Sequence, residues 1–261
     1  RNYNYCVSEA RGDYLLLLHD DDAIDADFVA LCMNAVNHDV RPGVIRTGVR
    51  VIDGRGATVR EIENKVDGST LADYYCSWFS GGTCWYLANT LFHTGQLRAE
   101  GGFGSPYHLA EDGFAIARLA RFQRIDVAEV KASFRVHAGE KTLADPTKAT
   151  LWGREYLALL DCMCAVVAPG EAAELRLRGR RFFAQLAYNR AALMSSRARR
   201  ARAAYEVLRL FEYRCWPIHR SKTLRLARRG AAYARRRAGK LFHRALVPAG
   251  GARTGHDRAR P

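Results

Sequence analysis

Residues 14–22 read Tyr-Leu-Leu-Leu-Leu-His-Asp-Asp-Asp, and this stretch decides the fold class. The apolar run 15–18 is too short for a helix and is typical of a strand buried at the centre of a sheet. That strand ends in three consecutive carboxylates, Asp20, Asp21 and Asp22. Because ligands bind beyond the carboxyl ends of strands in open α/β sheets, the pattern predicts a ligand site at this acidic turn.

The acidic triplet has two interpretations. Three adjacent carboxylates repel one another, and a divalent cation would neutralise that repulsion, which favours a metal site. Alternatively, the triplet is a solvated acidic turn before a helix, because carboxylates are favourable near helix N-termini. Its position at the end of a strand favours the metal site.

Helices and strands alternate after the triplet and predict an α/β domain. Residues 25–37 have helical spacing, with Asp25 available as the N-cap. A β-branched strand at 44–51 precedes a turn at 53–56, and a helix at 110–121 precedes a second strand at 125–136. From about residue 150 to 246, Gly and Pro become rare while Ala, Leu and Arg dominate, which predicts a helical region.

Charge is distributed unevenly along the chain, whose formal net charge is +14. Residues 1–170 carry 17 basic and 22 acidic side chains, whereas residues 171–261 carry 24 and 5. A segment this basic predicts an anionic partner such as phospholipid or nucleic acid. No recognised nucleic-acid motif accompanies the charge, which favours the lipid surface.

Apolar side chains recur between the arginines of the basic segment, at Leu175, Leu177, Phe182, Phe183, Leu186 and Leu193. This pattern favours basic amphipathic helices that lie on an anionic membrane and insert their apolar side chains. The alternative is a helical hairpin that packs on its own domain and leaves its arginines in solvent.

The seven cysteines include no CxxC pair and no His spacing typical of a zinc site. We therefore expect reduced thiols and a cytosolic protein. No apolar run approaches the roughly 18–20 residues that span a bilayer. Arg1 opens the chain without Met and shortly before a buried strand, so we expect further sequence upstream.

Two other clusters have chemical potential. Glu111 and Asp112 open the helix after a Gly-rich loop, where a carboxylate could act as a general base or could simply stabilise the helix start. Arg135 and His137 end the second strand on the same face, so that Arg135 could bind phosphate and His137 a metal ion. A lone surface His is the alternative for His137.

Three segments, taken together, resemble family 2 glycosyltransferases with the GT-A fold. Residues 10–22, ARGDYLLLLHDDD, resemble the strand and DxD motif of that family. Leu-Phe-His at 91–93, Gly-Gly-Phe at 101–103 and Glu-Asp-Gly-Phe at 111–114 resemble its acceptor-side segment, which ends in the ED motif. Residues 134–142, FRVHAGEKT, are similar to the segment that closes the catalytic domain. The resemblance covers about residues 1–145.

The resemblance implies an α/β fold with a partial GT-A (nucleotide-diphospho-sugar transferase-like) mixed sheet, followed by a basic α-helical region. We expect a GT-A core at 1–148 that lacks the N-terminal nucleotide-binding strands of the family. A basic helical region at 149–248 and a disordered tail at 249–261 follow.

The resemblance also implies a metal and donor site. Mg²⁺ or Mn²⁺ is expected on Asp20 and Asp22 with His137, and Asp20, Asp21 and Arg135 are expected to contact the nucleotide-sugar donor. His19 stands where the family often has its first carboxylate. The metal register is therefore either Asp20-x-Asp22 or a shifted one built on Asp21 and Asp22.

The remaining implied residues belong to catalysis and to the acceptor. Asp112, or less favourably Glu111, is the expected general base. Trp78, Trp85 and Gly102 are expected to contact the acceptor. For the two tryptophans, which flank the glycine pair at 81–82, packing in the core is the alternative.

The resemblance thus implies a metal-dependent inverting glycosyltransferase. It would transfer sugar from a nucleotide-diphosphate donor, with a UDP-sugar favoured, to a saccharide or lipid-linked hydroxyl acceptor in cell-surface polysaccharide or glycolipid synthesis. The expected location is cytoplasmic, peripheral on the inner face of the membrane. Two alternatives stay open: a non-catalytic basic module that binds anionic lipid or nucleic acid, and a degenerate glycosyltransferase-like protein that only binds.

Overall fold

A six-stranded mixed sheet is the centre of the fold in the computed structural model, which describes residues 2–37, 40–66, 68, 70–136 and 146–212. Within that part of the chain the strands are β1 (Tyr14–Leu16), β2 (Ala23–Ile24), β3 (Val44–Asp53), β4 (Thr58–Ile62), β5 (Thr90–His93) and β6 (Arg124–Val136). The helices there are α1 (Asn2–Glu9), α2 (Phe28–Asn34), α3 (Leu71–Ser80), α4 (Thr94–Ala99), α5 (Glu111–Leu119), α6 (Ala149–Val166), α7 (Pro169–Ala192) and α8 (Arg197–Leu210).

The strand order is β1-β5-β3-β6-β2, with β4 paired to β3 outside this path. Only β3 and β6 run parallel, and the other neighbours are antiparallel. Successive residues of β3 face opposite sides of the sheet: Val44 packs with α3–α8, whereas Ile45 packs with α2. The expected α/β class, a mixed sheet followed by a helical region, is confirmed.

The strand at the centre of the sheet is β3 and not the predicted strand 14–18. Only Tyr14–Leu16 is extended, its three residues are partly buried, and among the described residues it pairs with β5 alone. In contrast, β3 is paired on both sides and almost wholly buried. Apolar composition does not identify the central strand, because β3 is central although it contains Arg46, which is completely buried. The Arg46 guanidinium donates hydrogen bonds to Tyr74 Oη and Thr83 Oγ1, at 3.0 Å each.

The helix predicted at 25–37 spans Phe28–Asn34, and Asp25 is not its cap. Asp25 instead accepts two hydrogen bonds from the Arg50 guanidinium, at 2.8 and 2.9 Å. This bidentate pair lowers the pKa of Asp25 and is a stronger contact for a carboxylate than a single backbone N–H. The predicted turn at 53–56 is confirmed: Gly56 has φ of 85° and Asp53 accepts the N–H groups of Arg55 and Ala57.

The helical region packs on the sheet domain through one continuous hydrophobic core. Phe182 and Phe183 of α7 contact the aromatic side chains of α3, and Leu175 and Phe183 are 1% and 0% exposed. The expectation that these residues insert into a membrane is therefore wrong for Leu175 and Phe183, since their surfaces are used within the protein. Leu177 and Leu193 remain exposed.

Among the described helices, none combines the length and the apolarity that crossing a bilayer requires. The predicted boundary at residue 148 stays a prediction. Residues 213–248 of the predicted helical region and the predicted tail at 249–261 lie outside the described residues.

Candidate active site

An open cavity of about 600 Å³ gathers five of the candidate site residues that the sequence singled out. Its walls include Asp22 from the acidic turn, Glu111 and Asp112 from the first turn of α5, and the two tryptophans, Trp78 and Trp85. The opposite side chains come from α6 and α7, namely Trp152, Tyr156, Leu159, Leu186 and Arg190. The fold thus brings together segments that are more than 100 residues apart in the chain.

Asp22 is the buried carboxylate of the acidic turn, with a side chain that is 2% exposed. Its Oδ1 accepts the Arg135 backbone N–H at 2.9 Å, and its Oδ2 lies 3.7 Å from His19 Nδ1. Burial raises the pKa of Asp22, and the hydrogen bond from Arg135 opposes that increase. A positive charge at this turn would therefore stabilise the ionised form of Asp22.

Within the part of the chain that the structure describes, His19, Asp21 and Asp22 form a group that could hold a metal ion. Each offers one ligand atom, and these atoms lie within 4.8 Å of one another. Asp20 does not belong to this group, and His137 lies outside the described residues. Two carboxylate oxygens and one imidazole nitrogen are a chemically suitable donor set for a divalent transition-metal ion such as Mn²⁺.

Tyr3 of α1 orients His19 from the other side. The Tyr3 hydroxyl lies 3.0 Å from His19 Nε2, and the two rings are stacked with centroids 5.9 Å apart. Burial raises the pKa of Tyr3, and the negative charges of Asp112 and Glu111 raise it further. The charges of Asp112 and Glu111 therefore act on the Tyr3 hydroxyl, which is the group that contacts His19.

Arg135 supports the acidic turn through its backbone contacts. Its Nε donates to the carbonyl of Asp21 at 2.7 Å, and a terminal nitrogen donates to the carbonyl of Asp53 at 3.0 Å. Arg135 thus joins the turn to the β3–β4 hairpin. It does not line the cavity, so its expected contact with the donor stays a prediction.

Asp112 and Glu111 differ in their surroundings. Glu111 Oε1 lies 2.7 Å from His108 Nδ1, so its carboxylate already has a partner. Asp112 Oδ1 accepts the N–H of Gly113 at 2.8 Å. Burial raises the pKa of Asp112, while the hydrogen bond from Gly113 and the charge of His19 lower it. A carboxylate with a raised pKa is a stronger base once it is ionised.

Trp78 and Trp85 form a stacked pair, with ring centroids 4.1 Å apart and planes inclined by 9°. They also contact Phe183 and Tyr74 respectively, so both are anchored in the core while they line the cavity. Core packing and contact with a ligand are thus compatible for these two residues.

Gly102 does not line the cavity. It has φ of 72°, and a Cβ at this position would overlap the amide oxygen of Asn4. The Asn4 amide in turn exchanges two hydrogen bonds with the backbone of Phe103, at 2.7 Å each. Gly102 therefore permits close approach of α1 to this loop, and its expected contact with the acceptor stays a prediction.

Sequence reasoning missed the contributions of α1, α6 and α7 to the cavity. On α6, Trp152, Tyr156 and Leu159 follow the i, i+4, i+7 spacing of one helix face, which a sequence can reveal. That spacing identifies an inward face but does not say what the face covers.

Comparisons with known proteins give one structural likeness. No protein-family model matches the chain, and no curated protein matches it. The crystal structure of S. aureus TarS 1–349 in complex with UDP-GlcNAc is similar to this chain with a TM-score of 0.44 and 14% sequence identity. The likeness covers 81% of this chain and 69% of that one. The protein is a mixed α/β protein in which helices α6 and α7 of the helical region form part of the wall of this cavity.

Proposed function

We propose that this protein is a metal-dependent inverting glycosyltransferase that uses a nucleotide-diphosphate sugar. The observation that carries the proposal is the shared cavity, in which the buried Asp22 and the Asp112 carboxylate line one space with aromatic side chains. A metal ion held by carboxylates can stabilise a diphosphate leaving group, and a second carboxylate can act as the general base. The motifs at 10–22 and 111–114 point to the same reaction.

His19, Asp21 and Asp22 would hold the divalent ion. When bound, the ion supplies charge that stabilises the diphosphate as the leaving group. The imidazole makes Mn²⁺ a better fit than Mg²⁺, which prefers oxygen ligands alone. Tyr3 keeps the His19 ring in place, and the Arg135 N–H holds one oxygen of Asp22, which leaves its second oxygen facing His19.

Asp112 would act as the general base. It removes the proton from the acceptor hydroxyl as that oxygen attacks the anomeric carbon from the face opposite the diphosphate, so that the configuration inverts. Glu111 is less suited to this step because its carboxylate is paired with His108. Trp78 and Trp85 would contact the acceptor sugar with the part of their surface that lines the cavity, because their stacked faces are already in contact with each other.

The proposal further specifies a UDP-sugar as the donor and a saccharide or lipid-linked acceptor. The protein would act at the cytoplasmic face of a membrane. In support of the membrane, α8 exposes Arg197, Arg199 and Arg202, and Leu193 and Tyr205 beside them are 63% and 55% exposed. Basic side chains near an anionic surface each contribute about 1 kcal/mol. A role in cell-surface polysaccharide or glycolipid synthesis would follow from such an acceptor.

The experiment compares Asp112→Asn with the wild-type protein, using release of UDP from a panel of UDP-sugars with Mn²⁺ and saccharide acceptors. We expect turnover to fall by roughly 10²–10⁴-fold, the usual contribution of a positioned base, while UDP binding measured by calorimetry is unchanged. The control is Asp13→Asn, which changes an exposed carboxylate that does not line the cavity.

Two results would contradict the proposal. A wild-type protein that neither binds UDP with Mn²⁺ nor consumes any nucleotide sugar would favour the non-catalytic lipid- or nucleic-acid-binding alternative. Near wild-type transfer by Asp112→Asn would reduce Asp112 to a residue of the helix start and would make Glu111 the next candidate.

A further inference from the structure

Glu155 of α6 is a fully buried carboxylate, with 0% of its surface exposed. Its Oε1 accepts the backbone N–H of Leu109 at 3.0 Å, that of Ala110 at 2.9 Å, and the hydroxyl of Ser105. Its Oε2 accepts the N–H of Tyr107 at 3.1 Å. All four donors are uncharged and belong to one loop, which therefore provides hydrogen bonds to both oxygens of the buried carboxylate.

The loop that Glu155 binds leads directly into the carboxylate pair. Ala110 is the residue before α5, and Glu111 and Asp112 form the first turn of that helix. Ala110 has no side chain that can cap α5, and Glu155 accepts the backbone N–H of Ala110 itself, which fixes the residue where the helix begins. His108, within the same loop, has φ of 56°, which is a conformation that non-glycine residues rarely keep without support.

The same helix forms part of the cavity wall. Two neighbours of Glu155 on α6 line the cavity. They are Trp152, three residues before it, and Tyr156, the residue after it. Helix α6 packs on α5 and α7 through residues that are almost wholly buried, including Leu159 and Leu160. Because α6 is held in this way, the Glu155 carboxylate provides a fixed point for the loop.

We infer that Glu155 is a positioning residue, which fixes Asp112 relative to Asp22 across the cavity. This inference rests on the proposed function for its catalytic consequence, although the support that Glu155 gives to residues 105–110 does not depend on it. The role requires a carboxylate: Gln has the same shape, but its amide nitrogen would face an N–H donor and one acceptor would be lost. The basic helical region thereby contributes to catalysis through a buried acid.

The experiment measures hydrogen–deuterium exchange and transfer kinetics for Glu155→Gln in the full chain. We expect exchange of the Tyr107, Leu109 and Ala110 amides to rise about tenfold or more, while amides of β3 keep their protection. We expect kcat to fall about 10²-fold with an unchanged KM for the donor, because the base is displaced while the donor site is intact. Asp161→Asn, an exposed acid-to-amide change on the same helix, should alter neither quantity.

Ser105→Ala provides a second test should Glu155→Gln fail to fold. It removes one donor and keeps the buried carboxylate, and we expect a smaller increase in exchange confined to residues 105–110 with a smaller loss of kcat. The inference is overturned if exchange in this loop is unchanged in the variants, or if the wild type transfers sugar and the variants match it. If exchange rises but the wild type shows no transfer, the proposed reaction fails while the support of the loop by Glu155 stands.

Discussion

Docking of the helical region on the sheet domain can be tested with two glycines of α7, Gly170 and Gly179. A Cβ on Gly179 would overlap Cδ1 of Leu160 on α6 and would lie 3.2 Å from Cζ of Phe79 on α3. Leu160 is 0% exposed, so its side chain is enclosed by other protein atoms. A Cβ on Gly170, near the start of the same helix, would meet nothing within 4 Å.

The structure predicts opposite signs for Gly179→Ala and Gly170→Ala. In a helix interior, Gly→Ala contributes up to about 1 kcal/mol, while inserting a methyl group into a packed core costs about 1–3 kcal/mol. Gly179→Ala should therefore lower the free energy of unfolding by up to about 2 kcal/mol. Gly170→Ala should raise it by about 0.4–1 kcal/mol, chiefly because the unfolded chain loses freedom.

Urea unfolding followed by circular dichroism measures both changes. With equal slopes, the midpoint of Gly179→Ala should fall below that of the wild type and the midpoint of Gly170→Ala should rise above it. An increase in stability for Gly179→Ala as large as that for Gly170→Ala would mean that α7 is an independent helix. The cavity wall formed by α6 and α7 would then have no structural basis.

Three further predictions concern charge. Asp112→Asn should be more stable than the wild type at pH 7, because burial raises the pKa of Asp112 and its ionised form is costly to keep. This advantage should begin to decrease as the pH falls below the raised pKa of folded Asp112, and it should vanish only below the ordinary pKa of an aspartate, where Asp112 is neutral in the folded and the unfolded chain. An equal difference in melting temperature at all pH values would contradict it. Calorimetry should show that the protein binds Mn²⁺ weakly and that UDP strengthens this binding. An unchanged affinity for Mn²⁺ in the double variant Asp21→Ala with Asp22→Ala would show that these residues do not belong to the metal site. The protein should co-sediment with anionic but not neutral liposomes and should dissociate from them at high salt. The double variant Arg197→Glu with Arg199→Glu should bind anionic liposomes more weakly. Equal binding to both liposome types, or tight binding to duplex DNA without binding to liposomes, would contradict the membrane proposal.

Local patterns in the sequence determined the element types and several members of the site. The β-branched composition of 44–51, the Gly-containing turn at 53–56 and the helical spacing at 110–121 act over a few residues, and each formed close to its expected bounds. The end of a strand is also a local feature, which is why the acidic turn with Asp22 could be found from the sequence.

Tertiary structure alone decided which elements are central and what covers the cavity. The apolar run at 14–18 is the more apolar segment, yet β3 is the central strand. The buried Arg46 of β3 is accommodated because Tyr74 and Thr83 accept its hydrogen bonds. Asp25 is a suitable cap by sequence, yet Arg50, 25 residues away, provides two hydrogen bonds. Glu155 binds a loop 45–50 residues earlier, and no local pattern encodes that distance. Long-range hydrogen bonds to buried charges depend on how distant segments pack, so only the folded chain determines them.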